Sequence, residues 1–278
     1  MKKLVFIGAG SMAEAMISGI IENKLVDSKN IWVTNKANKE KLSELHQQYG
    51  ITGSYDLKTL FADANAVVLA MKPKDAAAAI TEIRQYLSDN TLIISVLAGI
   101  SIDTIEVLAG KKLAVARAMP NTSAAVGKSA TGIAVNKSVS TSQMEAIKQL
   151  FETIGFAAFV PEERLDAVTG LSGSGPAYIY YLVEAMEKGA AEIGLDQETA
   201  KKLIIQTLLG AAEMVKASPK SSKQLRKEVT SPGGTTEAGI KVLEDNHVQQ
   251  AFIGCIKAAS AQSKKMGEML SAEIHSIK

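Results

Sequence analysis

The 278-residue sequence contains one cysteine, Cys255, which excludes an internal disulfide and is compatible with a reducing compartment. Because Cys255 falls in an apolar helical pattern, we expect it in the core. Lysines and arginines number 31 against 29 acidic residues, and so small an excess gives no reason to expect nucleic acid as a partner. No apolar stretch approaches the ~20 residues that a membrane-spanning helix needs. These absences predict a cytoplasmic protein with no membrane segment.

Histidine is also scarce, with three in the chain, His46, His247 and His275. None adjoins a predicted strand end or a glycine-rich turn, so we expect surface or packing roles for all three. No cluster of histidine, cysteine and carboxylate residues has metal-ligand spacing, and we predict no metal site. The sequence suggests no nucleophile–base pair either. A reaction that needs positioning more than a strong acid or base is therefore favoured, and hydride transfer to an activated carbon is of that kind.

What the sequence does contain is a regular alternation of short apolar runs and helical patterns. The predicted strands cover residues 4–7, 31–33, 67–70, 92–96, 113–116, 130–135 and 156–160. A helix at residues 142–154, capped by Ser140 or Thr141, lies between the last two. Such alternation predicts a mostly parallel sheet covered by helices.

A glycine motif follows the first strand and opens the first helix. Gly8 and Gly10, with Ala13 at the third small position, form the G-x-G-x-x-A fingerprint. The first glycine allows the tight turn, and the second lets the backbone approach a pyrophosphate at the helix N-terminus. Because the motif stands between a strand and a helix, we predict a Rossmann-type dinucleotide site that includes Ser11 and Met12.

The second strand ends in Thr34, Asn35 and Lys36, and no acidic residue occurs between positions 27 and 40. An NAD site usually places a carboxylate here on the ribose 2′-hydroxyl, whereas a hydroxyl, an amide and an ammonium suit a 2′-phosphate. We therefore predict NADP(H) as the preferred cofactor, with NAD(H) possible. The alternative interpretation of the three residues is a solvated loop after an edge strand.

Two later strand ends are predicted to border the same cofactor, because the carboxyl ends of strands in a doubly wound sheet face the ligand crevice. The residues predicted to contact it there are Ala70, Lys72, Pro73, Ala98 and Gly99.

From Glu162 onward the strand pattern stops and apolar residues recur at helical spacing. We predict an α/β protein with an N-terminal Rossmann-type doubly wound sheet at residues 1–161. An all-α domain for substrate binding and dimerisation follows at residues 162–278. Several of its helices are apolar on more than one face and need a partner surface, which favours a dimer or larger assembly. The alternative is a monomer with a compact bundle.

Two stretches of small residues lead into helical patterns, at residues 172–176 and 231–236. In the first, Pro176 suits the first helical position, with Ser174 or Gly175 as the cap. Backbone N–H groups at a helix N-terminus bind carboxylates, and hydroxyls orient single polar atoms. The two stretches therefore predict a pocket for a small anionic substrate. The simpler alternative is a pair of well-capped helices.

Five blocks of this sequence, in order, resemble the pyrroline-5-carboxylate reductase family. They are GAGSMAEA from Gly8, Lys72-Pro73, RAMPNT from Arg117, SGSGPAY from Ser172 and SPGGTT from Ser231. The resemblance implies NAD(P)H-dependent reduction of the C=N bond of 1-pyrroline-5-carboxylate to L-proline, the last step of proline biosynthesis. It also implies a helical domain that interlocks with its twin, in dimers often assembled into decamers.

The resemblance also implies roles for individual residues. Thr236 is expected to hydrogen-bond the pyrroline nitrogen, and Ser174 and Asn121 to close the pocket near the nicotinamide. The backbone expected to hold the substrate carboxylate belongs to Gly233, Gly234 and Thr235. One departure is the stretch at residues 218–223, which is basic where family members often carry an acidic Glu-x-Pro-Gly-like turn.

Two other functions compete with this interpretation. Dehydrogenases of the 3-hydroxyacid or 6-phosphogluconate type share the two-domain plan but use a helical lysine as acid and base. Here no lysine follows the first small-residue stretch until Lys188. A non-catalytic NADP-binding sensor is the other alternative, although a sensor has no use for a substrate carboxylate site.

Overall fold

A computed structural model of the chain describes residues 2–276, with side chains described as far as residue 274. Eight strands form one sheet: β1 (Leu4–Ile7), β2 (Ile31–Thr34), β3 (Thr52–Gly53), β4 (Ala66–Leu69), β5 (Leu92–Ser95), β6 (Ala114–Met119), β7 (Ser129–Val135) and β8 (Gly155–Phe159). Their order across the sheet is β3-β2-β1-β4-β5-β6-β7-β8. Every neighbouring pair is parallel except β6 and β7. This confirms the predicted doubly wound sheet.

The central strands β1, β4 and β5 are buried on both faces of the sheet, which explains why they form continuous apolar runs in the sequence. Leu4 and Phe6 of β1 belong to one hydrophobic cluster, and Val5 and Ile7 to another. Side chains of a strand alternate between faces, so one run of four residues contributes to two cores. Each fully buried side chain of this size contributes about 1.5–3 kcal/mol.

Seven helices accompany the sheet: α1 (Ser11–Glu22), α2 (Lys39–Tyr49), α3 (Leu57–Phe61), α4 (Ala76–Ile83), α5 (Ile102–Ala109), α6 (Thr141–Glu152) and α7 (Leu165–Val168). Of the two predicted caps of α6, the structure uses Ser140. Its Oγ accepts from the Gln143 backbone N–H at 3.2 Å, and the Gln143 side chain accepts from the Ser140 N–H at 2.9 Å. This reciprocal capping box satisfies two backbone donors that a helix start would otherwise leave unpaired.

Two features of the sheet lay outside the prediction. β3 has only two residues, too few to show any periodicity in the sequence. The antiparallel pairing of β6 and β7 follows from the connection between them, residues 120–128. A parallel crossover needs about a dozen residues or more, so this shorter connection reverses the chain instead.

Strands give way to helix where the sequence predicts, since β8 ends at Phe159 and helical turns begin at Glu162. The compact units nevertheless divide elsewhere: one comprises the chain up to Pro176 together with residues from 257 onward, and the other comprises Ala177–Ile256. The segment after residue 161 stays with the sheet, because Val168 packs on Gly132 of β7. A Cβ at Gly132 would lie 2.9 Å from the Val168 side chain. The domain boundary predicted at residue 161 differs from this division into compact units and stays a prediction.

The second compact unit is helical. Its elements are α8 (Gly175–Glu192), α9 (Gln197–Ala217), α10 (Ser222–Glu228), α11 (Thr235–Asp245) and the first part of α12 (Val248–Ser276). Tyr178 and Phe252 pack edge to face with ring centroids 6.3 Å apart. None of the helices within residues 2–276 has the combination of length and apolar character that crossing a bilayer requires.

Large apolar side chains are exposed along α8 and α9, namely Ile179, Tyr180, Tyr181, Leu203, Ile205 and Leu209. The core position expected for Cys255 is wrong, because its side chain on α12 is exposed, as is that of Ile253 nearby. The apolar pattern of α12 marks residues that a single chain leaves uncovered. His46 and His247 are exposed, as expected, and the side chain of His275 lies outside the described ones.

Candidate active site

The residues predicted to bind the cofactor lie beyond the carboxyl ends of the parallel strands. Strands β1, β2, β4 and β5 end at residues that are register partners: Ile7 with Thr34, Ile7 with Leu69, and Leu69 with Ser95. The loops that follow therefore start from a single row at one edge of the sheet. This is where a doubly wound sheet binds its ligand.

The two fingerprint positions, 8 and 10, are occupied by glycine for different structural reasons. Gly8 adopts a φ of +113°, and a Cβ there would lie 2.5 Å from the carbonyl carbon and oxygen of Ala70. Only glycine fits so close to the neighbouring strand's backbone. Gly10 is the N-cap of α1 and provides no capping side chain, and a Cβ on it would meet no atom within 4 Å. The first N–H groups of α1 therefore have no side-chain cap, and such a helix start suits a pyrophosphate.

The end of β2 lines a cavity of about 260 Å³ together with Gly8, Tyr55 and Asp75. Asn35 is held within its own turn: its Oδ1 accepts from the Asn38 N–H at 2.8 Å and from the Tyr55 hydroxyl at 2.8 Å. Its Nδ2 donates to the Asn38 carbonyl at 2.7 Å. Asn35 therefore shapes the loop, and the rim of the cavity is left to Thr34 and Lys36.

Two of the cations near the end of β2, Lys36 and Lys41, have acidic neighbours. The Lys36 Nζ lies 3.6 Å from the Asp75 carboxylate, and both side chains line the cavity. On α2, the Lys41 Nζ lies 2.8 Å from the Glu14 carboxylate, and this hydrogen bond raises the pKa of Lys41. The positive charge that the sequence offers to a 2′-phosphate is thus partly compensated.

The remaining cofactor residues follow β4 and β5. The Ala70 N–H donates to the Ile7 carbonyl at 2.9 Å and so extends the strand pairing by one residue. Lys72 is exposed, and Pro73 occupies the first turn of a short 3₁₀ helix. Beyond β5, residues 98–99 approach α12, since a Cβ on Gly99 would lie 3.3 Å from the Cα of Gly267. Close packing against α12 is therefore one reason for a glycine at position 99.

The predicted helix start is confirmed within one residue, since α8 begins at Gly175, but the predicted cap is wrong, because neither Ser174 nor Gly175 caps the helix. α7, a π-helical turn at Thr169–Gly173 and α8 follow one another almost without a break. Ser174 has right-handed helical φ and ψ rather than a cap conformation, and its N–H donates to the Thr169 carbonyl at 2.8 Å. The physical reason is the preceding helix, which continues to supply carbonyl acceptors. Among the described residues, the Ser174 hydroxyl has no hydrogen-bond partner.

Asn121 is buried just after β6, with 8% of its surface exposed. Its Nδ2 donates to the Ser172 carbonyl at 2.9 Å, and its Oδ1 accepts from the Ser123 N–H at 3.1 Å. Its own N–H donates to the Ser129 Oγ at 3.0 Å. Both ends of the amide side chain thus have protein partners in this unit.

The second small-residue stretch does begin a helix. Gly233 turns the chain with a φ of +72°, Gly234 is an N-cap without a side chain, and α11 follows from Thr235. The Gly233 N–H donates to the Glu237 carboxylate at 2.8 Å, and the Gly234 N–H to the Ser231 carbonyl at 3.0 Å. The uncapped donors of this helix start are therefore those of its first turn, beginning with Thr235 and Thr236, whose side chains are exposed.

Sequence reasoning missed several residues that line the cavity, among them the polar residues Tyr55, Asp75 and Glu82. Tyr55 follows the two-residue strand β3, so no strand pattern marks the turn that carries it. Asp75 precedes α4 and resembles an ordinary helix cap in the sequence. Its side chain makes no capping hydrogen bond, and its carboxylate lies near Lys36 instead.

A doubly wound sheet with a glycine turn and an uncapped helix start beyond its strand ends is the architecture of a dinucleotide-binding protein. Two family models match the chain: NADP oxidoreductase coenzyme F420-dependent over residues 3–99, and pyrroline-5-carboxylate reductase dimerisation over residues 162–266. Pyrroline-5-carboxylate reductase 2 of Bacillus subtilis is 50% identical over 271 residues, covering 98% of this chain and 97% of the relative. The chain belongs to the pyrroline-5-carboxylate reductase family.

Solved structures agree with this assignment. A pyrroline-5-carboxylate reductase from Coxiella burnetii, 37% identical, superposes with a TM-score of 0.89 over 95% of this chain and 98% of that one. A Plasmodium falciparum pyrroline carboxylate reductase with NADP bound, 30% identical, gives a TM-score of 0.86 over the same shares. The similarity therefore extends over both parts of the chain.

Proposed function

We propose that the protein reduces the C=N bond of 1-pyrroline-5-carboxylate with NAD(P)H to give L-proline, the last step of proline biosynthesis. Family membership at 50% identity over nearly the whole chain supports the reaction. The observation that carries the proposal is the turn before α11. It combines an uncapped helix start, which suits a carboxylate, with two exposed threonine hydroxyls, which suit a ring nitrogen.

In this proposal the turn at residues 231–236 binds and orients the substrate. The first-turn N–H groups of Thr235 and Thr236 hold the carboxylate, while Gly233 and Gly234 give the backbone its shape. The Thr236 hydroxyl hydrogen-bonds the ring nitrogen and fixes the imine carbon in position. The Ser174 hydroxyl, which has no hydrogen-bond partner among the described residues, is the second side chain that we propose to take part in the reaction.

The cofactor residues follow from the fit of the first unit to a dinucleotide. Gly8, Gly10, Ser11 and Met12 form the turn and helix start that hold the pyrophosphate. The strand-end residues Ala70, Lys72, Pro73, Ala98 and Gly99 border the nicotinamide half. When bound, NAD(P)H supplies the hydride, and the ring nitrogen takes its proton from solvent, because no side chain in this proposal acts as a general acid.

The preferred cofactor in this proposal is NADP(H), with NAD(H) possible. The absence of a carboxylate directly after β2 supports NADP(H), since a 2′-phosphate would meet Thr34 and Lys36 there, in the loop that Asn35 shapes. The NADP-bound Plasmodium relative supports it as well. The ion pair between Lys36 and Asp75 makes the expected preference moderate rather than absolute.

We also propose a homodimer, assembled further into decamers, in the cytoplasm. The match to the dimerisation model and the apolar side chains exposed on α8 and α9 support self-association. The decamer is proposed from the family resemblance, and the cytoplasmic location from the scarcity of cysteine.

The test is oxidation of NADPH and NADH by the purified protein with 1-pyrroline-5-carboxylate. We expect rapid turnover with NADPH favoured. Thr236→Ala should lower kcat/KM about 10- to 100-fold, because one positioned donor to the reacting group is lost, and Thr236→Ser should restore most of it. The matched control is Thr207→Ala on α9, whose hydroxyl donates to the Leu203 carbonyl of its own helix. Full activity of Thr236→Ala would remove the role of this hydroxyl, and no turnover with either cofactor would refute the reaction.

A further inference from the structure

The π-helical turn before α8 has a cause in the sequence. In an α-helix the N–H of residue 176 would donate to the carbonyl of residue 172, but Pro176 has no N–H and its ring crowds that carbonyl. The chain widens instead: the Ser174 N–H donates to the Thr169 carbonyl, five residues back. The Ser172 carbonyl is then left without an intrahelical donor.

Asn121 supplies the missing donor from another element. Its Nδ2 lies 2.9 Å from the Ser172 oxygen, while its Oδ1 accepts from the Ser123 N–H. The orientation of the amide follows from these partners, because the carbonyl needs a donor and the N–H needs an acceptor. Of the side chains of this size, only asparagine provides both. Aspartate would provide the acceptor but would place a second oxygen against the carbonyl.

The segment that carries Asn121 also contacts the dinucleotide helix. The 3₁₀ turn at Thr122–Val126, which Asn121 caps, packs against α1. On the other side, a Cβ on Gly173 would lie 3.5 Å from the Met119 methyl, so the π-turn sits directly on this connection. Asn121 thus joins the helix that begins at the glycine fingerprint to the turn that carries Ser174.

We propose that Asn121 is a positioning residue: it replaces the backbone donor that Pro176 lacks and so holds the Ser172–Ser174 turn, and it does not contact the substrate itself. The inference rests on the proposed function in so far as Ser174 is proposed to take part in the reaction. The clamp between Asn121 and the Ser172 carbonyl is a property of the protein without ligands and can be tested separately.

The first variant is Asn121→Asp, which keeps the acceptor for Ser123 and removes the donor to Ser172. We expect kcat to fall about 10- to 100-fold, as for a misplaced site group, with KM for the substrate and Kd for NADPH within about twofold of wild type. Hydrogen–deuterium exchange of residues 165–178 should rise in the ligand-free protein. As the pH falls, the ratio of variant to wild-type kcat should rise, because a protonated carboxyl group donates again.

The control is Asn136→Asp at the other end of β7. The Asn136 amide also donates to a backbone carbonyl, that of Leu113 at 2.8 Å, and its oxygen also accepts backbone N–H groups. This control should lower Tm without changing kcat or the exchange of residues 165–178. A large rise in KM or in Kd for Asn121→Asp, with kcat unchanged, would assign Asn121 to direct contact and overturn the proposal.

Pro176→Ala provides the second arm, since it restores an N–H opposite the Ser172 carbonyl. In this background Asn121→Asp should change kcat and exchange several-fold less than in wild type. Equal effects in both backgrounds would overturn the clamp. If Asn121→Asp alone does not fold, recovery of folding by adding Pro176→Ala supports the clamp, and failure to recover overturns it. Failure of the proposed reaction would instead appear as no turnover by wild type, while the exchange measurements would still report on the clamp.

Discussion

The two fingerprint glycines should respond in opposite ways to the same substitution. In Gly8→Ala the new methyl group would lie 2.5 Å from the Ala70 backbone, in a residue with φ of +113°. In Gly10→Ala the methyl group meets no protein atom within 4 Å, and it is added to the turn that we propose to hold the pyrophosphate. Gly8→Ala should therefore destabilise the fold, and Gly10→Ala should weaken cofactor binding.

The magnitudes follow from the geometry. A non-glycine residue in this backbone region costs about 1–3 kcal/mol. Forcing the ends of β1 and β4 apart to accommodate a methyl group costs about 1–3 kcal/mol more. Gly8→Ala should thus lower the free energy of unfolding by roughly 2–6 kcal/mol, a large part of the about 5–15 kcal/mol typical of a domain. For Gly10→Ala, a poorer N-cap and a less flexible unfolded chain roughly cancel, each contributing about 0.5–1 kcal/mol.

Urea unfolding gives the first quantity, and titration of NADPH fluorescence gives the second. We expect Gly10→Ala to unfold within about 1 kcal/mol of wild type and to bind NADPH at least about tenfold more weakly, which corresponds to about 1.4 kcal/mol. A folded Gly10→Ala that binds NADPH as wild type does would refute the close approach of the backbone to the pyrophosphate. Wild-type stability of Gly8→Ala would refute the packing argument.

Three further predictions concern charged groups. Asp75→Asn should raise the ratio of kcat/KM for NADPH over that for NADH by about two- to fivefold at low salt, because Lys36 loses its acidic partner. Lys36→Gln should lower the same ratio. An unchanged ratio in both variants would show that this ion pair does not influence the choice of cofactor. Glu162→Ala should lower the free energy of unfolding in urea by about 1–3 kcal/mol. The Glu162 carboxylate accepts from the Ile102 N–H at 2.8 Å and lies 3.3 Å from the mostly buried Arg117 guanidinium. Wild-type stability of the variant would contradict this prediction. The hydrogen bond from the Thr199 N–H lowers the pKa of Asp196, so the stabilisation by the Asp196 carboxylate is present above the unfolded pKa and is lost as the pH falls through the folded pKa. Asp196→Asn should therefore keep the stability at neutral pH and weaken the acid dependence of Tm. An unchanged acid dependence of Tm would count against the cap.

The sheet could be predicted because its signals are local. Seven of the eight strands are marked by short runs rich in apolar residues, and in β1, β4 and β5 every residue of the run is buried. The eighth, β3, consists of Thr52 and Gly53 and pairs only because β2 provides an edge. The reversal between β6 and β7 depends on the length of a connection, which the alternating pattern does not report.

The candidate site was predictable where backbone geometry decides and less so where side chains meet across the fold. Gly8 and Gly10 behave as a strand–turn–helix motif predicts. Asn35 does not offer a free amide, because Tyr55, 20 residues later in the chain, hydrogen-bonds to it. No local pattern predicts that contact, and the partial compensation of Lys36 by Asp75 is hidden for the same reason.

The two small-residue stretches show how context overrides a local signal. Both contain serine, glycine and proline before a helix, and both suggest a fresh helix start. Pro232 is followed by Gly233, whose φ of +72° turns the chain, so α11 begins anew. Pro176 instead follows a segment that is already helical, anchored where Val168 packs on Gly132, so the helix continues and widens. Pro232 therefore precedes a helix start that is open to a ligand, whereas Pro176 leaves the Ser172 carbonyl without a helical donor. Asn121 supplies that donor. The sequence does not predict this contact, because it depends on the fold bringing the end of β6 next to the π-turn.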